Sequence, residues 1–69
     1  MPGQSSRSQP TPRQQEVLDL LLRGATNKQI AGRLGITERG VKYHVSLLLT
    51  YYAVGSRAEL ISLLLRRRR

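Results

Sequence analysis

The stretch Thr26-Asn27-Lys28-Gln29-Ile30-Ala31-Gly32-Arg33-Leu34-Gly35-Ile36-Thr37-Glu38-Arg39-Gly40-Val41-Lys42-Tyr43-His44-Val45-Ser46 decides the fold. Its opening Thr-x-x-Gln is a capping-box pattern. The threonine hydroxyl accepts from the N–H three residues on, and the glutamine side chain reaches back to the threonine N–H. A short helix follows with Ile30, Ala31 and Leu34 inward, and Gly35, suited to a left-handed cap, ends it. Only Gly35-Ile36-Thr37 then precedes the next helix, for which Thr37 is the N-cap. Two helices joined by so short a glycine-containing turn form a helix-turn-helix.

Downstream of the turn, the pattern predicts a third helix from Glu38 to about Tyr52. Wound at about 100° per residue, it gathers Val41, Val45, Leu48 and Tyr52 in one arc and Arg39, Lys42, Tyr43, Ser46 and Thr50 in the opposite one. The first arc is a core face. The second is a row of hydrogen-bonding side chains along the axis, the form a DNA major groove accepts.

After Val54-Gly55 breaks that helix, Ser56-Arg57-Ala58-Glu59 is a further capping box and opens a fourth. Ala58, Ile61 and Leu65 lie together, while Leu60 and Leu64 form a second face and Leu63 a third. A helix apolar nearly all round needs burial on more than its core side. Leu60, Leu63 and Leu64 are therefore expected to meet a partner, most simply a second copy in a homodimer.

Upstream, Thr11-Pro12-Arg13-Gln14 combines a capping box with proline at the first helical position, where its missing N–H costs nothing. The first helix then runs to about Arg23, with Val17, Leu18, Leu21 and Leu22 on one face, and stops at Gly24. Residues 1–10, rich in Gln, Ser, Pro and Gly, have no apolar period and are expected to form a flexible arm or linker. The expected architecture is thus all-α: a four-helix helix-turn-helix domain over residues 11–65, followed by a basic tail over residues 66–69.

Composition narrows the function classes. The chain of 69 residues has no Cys, Trp or Phe, which excludes a disulfide framework and a thiolate zinc site. Its net charge of +8 points to a polyanion, although Arg7 and Arg66 to Arg69 supply five of those charges and the body keeps only +3. The terminal arginines either complement the helix C-terminal dipole as a solvated run or attract phosphates without sequence preference. The apolar run Leu60 to Leu65 is far short of a membrane span and no signal-peptide pattern opens the chain, so a soluble cytoplasmic protein with no membrane partner is expected. His44, the only histidine, has no ligand at metal-binding spacing and is expected to pack or hydrogen-bond structurally. Glu16 and Asp19 stand without a base or nucleophile. No catalytic, metal or cofactor site is assembled, and an enzyme is not expected.

At this point the residues resemble the LuxR-type (GerE- or FixJ-type) DNA-binding domain of bacterial transcription regulators. The likeness is carried by Thr-Pro-Arg-Gln-Gln-Glu-Val-Leu at 11–18, Gly24, Asn27-Lys28-Gln29-Ile30-Ala31, Arg33-Leu34-Gly35-Ile36-Thr37-Glu38, Val41-Lys42-Tyr43-His44-Val45-Ser46 and Ser56-Arg57-Ala58-Glu59-Leu60. It implies a dimer on double-stranded DNA, with the third helix in the major groove and the fourth forming much of the dimer contact. It also implies base contacts from Lys42, Tyr43 and Ser46, which the helical wheel had selected independently, and phosphate contacts from Asn27, Lys28, Thr37 and Arg39. Members of such a family either stand alone or are parts of longer regulators, with residues 1–10 then serving as linker.

The chain departs from the family pattern at Gly40, where a hydroxyl residue is usual, and at Thr50-Tyr51, where a basic pair is usual. Leu47 replaces a polar residue, and Tyr52-Ala53 replaces a small aliphatic residue and glycine. These changes make the recognition helix less basic and add apolar surface beside it. The leading expectation is sequence-specific DNA binding by a transcription regulator. The alternative is a protein-interaction module of the same fold that binds another regulator or RNA polymerase through Leu47, Tyr51 and the fourth helix.

Overall fold

In a computed structural model, residues 10–67 are described and form four helices. These are α1 (Pro12–Leu22), α2 (Asn27–Leu34), α3 (Glu38–Tyr52) and α4 (Arg57–Arg67). The arm expected over residues 1–10 lies, except for Pro10, outside the described residues, as do Arg68 and Arg69 of the tail.

Each helix begins where its side chains satisfy the first backbone donors. Gln14 N donates to Thr11 Oγ1 at 3.2 Å while Thr11 N donates to Gln14 Oε1 at 3.0 Å, closing the expected capping box on α1. Thr26 and Gln29 repeat it on α2, at 3.1 and 2.8 Å. Thr37 caps α3 by accepting from Gly40 N at 2.9 Å. The box on α4 is altered. Glu59 N donates to Ser56 Oγ at 3.1 Å as expected, but the Glu59 carboxylate accepts from Gly55 N at 2.8 Å, one residue further back than the pattern implies.

Helices often end on a left-handed residue, and glycine supplies it at Gly35, with φ 70°, between α2 and α3. At the end of α3 that conformation falls on Ala53, with φ 57°, rather than on the Val54-Gly55 pair that the sequence marks as the break. An alanine held there carries a steric cost that glycine would avoid. Ala53→Gly is therefore expected to stabilise the domain by about 1 kcal/mol, measured as a raised urea midpoint with unchanged slope.

The core lies where α3 packs against all three other helices, and α4 also packs against α1. It is built from Val17, Leu18 and Leu21 of α1, Ile30 and Ala31 of α2, Val41, Val45 and Leu48 of α3, and Leu60 and Leu64 of α4. The inward faces expected for the first three helices are present, with Leu22, Leu34 and Tyr52 partly buried at the margin. Burial holds the Tyr52 phenol above its ordinary value, aided by Tyr51 and opposed by Arg67. A raised acid pKa in the folded state stabilises below the unfolded value and is lost as pH rises through the folded one, so this group matters only at alkaline pH.

The phase of α4 differs from the expected one. Leu60 is fully buried and Leu64 is 8% exposed, whereas Leu65 is 49% exposed and Ala58 also faces solvent. The wheel offered two apolar faces and no means of ranking them. Arg57, whose guanidinium donates to Asn27 at the start of α2 and to Ala25 just before it, shares a helix face with Leu60 and Leu64, so this contact and the burial of the two leucines agree on one phase. These two leucines thus have no surface to offer a partner, and only Leu63, half-buried, keeps some of the interface first assigned to all three.

No single helix among the described residues is long and apolar enough to cross a membrane. The bent pair α3 and α4, at 57°, has sufficient length and apolarity together, but the Val41, Val45, Leu48, Leu60 and Leu64 side chains are spent on the core.

Candidate nucleic-acid interface

Burying Val41, Val45 and Leu48 forces the opposite side of α3 outward, and that side carries Arg39, Lys42, Tyr43, Ser46 and Thr50, all exposed. Tyr43 is 61% exposed, and its ring meets His44 edge-on at 5.7 Å. Ser46 Oγ donates to Lys42 O at 3.0 Å, so its hydroxyl proton is engaged within the helix and its lone pairs face solvent. Lys42 brings three donors on a long stem, and Ser46 brings an acceptor one turn away. This pairing can address both acceptor and donor atoms on base edges.

The expected phosphate contacts flank this row. Thr37 Oγ1 accepts from Gly40 N and retains its own O–H to donate. Arg39 and Lys28 are exposed in the first turns of α3 and α2. Asn27 and Lys28 share a surface depression with Thr26, Glu38 and Arg57, which brings the start of α2 beside the start of α3. The exposed donors and helix N-termini make this surface attractive to phosphate oxygens, with Glu38 as the opposing charge.

A Cβ at Gly40 would meet Thr37 Oγ1 at 3.3 Å and Ile36 Cδ1 at 3.9 Å, so any side chain there crowds the hydroxyl that caps α3. His44 is half-buried, its Nδ1 enclosed with no hydrogen-bond partner among the described residues. Glu16 pairs with Arg13 at 3.3 Å on an exposed surface, where such a pair contributes little. No group of three or more His, Cys, Asp or Glu among the described residues is placed to hold a metal ion.

Sequence reasoning assigned no role to Arg57. Its guanidinium is half-buried and spans two acceptors, Asn27 Oδ1 and Ala25 O, the latter at 2.6 Å. The available signal was a cation three residues before Leu60, on the face that turns out to be inward.

Residues 9–64 match the family described as bacterial regulatory proteins, luxR family. Among curated relatives, the response regulator Rre1 of Synechocystis sp. is 47% identical over 51 residues, covering 74% of this chain and 22% of the relative. The nitrate/nitrite response regulator protein NarL of Escherichia coli is 46% identical over 52 residues, covering 75% and 24%. The spore germination protein GerE of Bacillus subtilis is 38% identical over 56 residues, covering 81% and 76%. The chain thus spans about a quarter of the two response regulators and most of the third relative. No solved structure matches it significantly. With its four helices, its glycine turn and a match running from the start of α1 almost to the end of α4, this chain belongs to the LuxR family of bacterial regulatory proteins.

Proposed function

We propose that this chain binds double-stranded DNA sequence-specifically as the DNA-reading part of a transcription regulator, with α3 in the major groove. The observation that carries the reading is the outward row Lys42, Tyr43 and Ser46 on a helix whose opposite side is locked into the core. Lys42, Tyr43 and Ser46 read base edges, while Asn27, Lys28, Thr37 and Arg39 hold phosphates and set the register. Most affinity comes from phosphates and is salt-dependent.

The active form is a homodimer joined through α4. Its exposed Leu65, with the half-buried Ile61 and Leu63 beside it, supplies the contact, and the inward Leu60 and Leu64 hold that helix on the protomer. Two such protomers present their α3 helices about one helical turn apart, which matches an inverted repeat. Selection from random duplexes at fixed salt tests both parts. Enrichment of an inverted repeat with half-sites roughly 10 base pairs apart is expected. Recovery of unrelated sequences would remove specific readout, and recovery of single half-sites would remove the dimer.

A second reading is favoured by one feature, the apolar surface at Leu47 and at Tyr51, which is 41% exposed. A protein-interaction module would use it for another regulator or RNA polymerase. It would bind duplexes weakly with no preferred sequence.

A further inference from the structure

Arg57 opens α4, thirty residues after Asn27 in the chain, yet its guanidinium donates to Asn27 Oδ1 and to Ala25 O. A guanidinium carries only donors, so the Asn27 atom facing it must be the carbonyl oxygen. Turning the amide over would set an NH2 group against a cation and lose a charge-assisted bond. The Asn27 NH2 group is therefore held on the side away from Arg57. A free surface asparagine would have no such preference.

We propose that Arg57 is a positioning residue for the DNA backbone, presenting the Asn27 NH2 group as a preset donor to a phosphate. The inference rests on the reading of Asn27 as a phosphate contact and adds the group that orients it. The planar fork is what the task requires, because one side chain must satisfy two acceptors in fixed relative positions; the three donors of a lysine ammonium diverge from one nitrogen and do not form such a fork.

Asn27→Asp is the discriminating variant. It keeps an oxygen facing Arg57, strengthening that contact, and replaces the outward donor with an oxygen that repels phosphate. The urea midpoint should not fall, while affinity for the selected duplex and for a random one should drop alike, by about tenfold or more at ~0.1 M salt. Arg57→Lys and Arg57→Gln should each weaken duplex binding several-fold, and this loss should disappear in the Asn27→Asp background. That non-additivity is a readout that a merely structural role would not move. Wild-type affinity in Asn27→Asp, full affinity in Arg57→Lys, or losses that simply add would each overturn the positioning role while leaving DNA binding intact. Absence of duplex binding by the unaltered chain would instead overturn the DNA reading itself, and the positioning role with it.

Discussion

Leu60→Ala is expected to destabilise the domain by about 2–5 kcal/mol, the range for emptying a leucine-sized space in a packed core. Leu60 is fully buried where α4 meets α1 and α3. A domain of this size has a total stability of roughly 3–9 kcal/mol, so the variant should lose a large share of it and unfold at a much lower urea concentration. Leu65→Ala, at a position 49% exposed, should change monomer stability by about 0.5 kcal/mol or less. Its effect should appear in self-association and in affinity for the inverted repeat relative to a single half-site. Urea unfolding followed by circular dichroism at high dilution, with sedimentation for the dimer, separates the two. A tolerated Leu60→Ala beside an unfolding Leu65→Ala would return α4 to the phase read from the wheel alone.

Lys42→Ala carries the second large effect. Of the three residues in the base-reading row, Lys42 alone is charged, and the Ser46 hydroxyl proton is already engaged with the Lys42 carbonyl. A side chain that donates to a base edge discriminates by about 1–3 kcal/mol, so affinity for the selected duplex should fall by roughly tenfold to a hundredfold. Random duplexes should lose far less, since they are held mainly by phosphates. Arg39→Ala should behave differently, lowering both affinities together and reducing the salt slope by about 1. Equal losses for both duplexes on Lys42→Ala would make that residue a phosphate contact.

The contrast between α3 and α4 indicates what the sequence could decide. In α3 the apolar residues fall in one arc and the polar ones opposite, so a single phase buries the first and exposes the second. Both the core face and the candidate reading row follow from the spacing. The turn was equally legible, because Thr26, Gln29, Gly35 and Thr37 each perform a local task that depends on neighbours within four residues. In α4, two apolar faces compete, and the buried one lies beside Arg57, whose partners Asn27 and Ala25 stand 30 and 32 positions away. No local pattern encodes such a contact. The left-handed Ala53 was missed for a related reason. Gly55 is the better local stop, but the packing of Tyr52 and Val54 against the core fixes the chain's exit two residues earlier.

The central claim is that α3 is the surface that meets DNA, and amide chemical shifts recorded as the selected duplex is titrated into the protein at fixed salt test it most directly. The account predicts the largest changes along Arg39, Lys42, Tyr43 and Ser46, with a second group at Asn27, Lys28 and Thr37 that also moves with random duplex. Changes confined to Leu47, Tyr51 and the outer face of α4, with the Lys42 row unmoved, would contradict it.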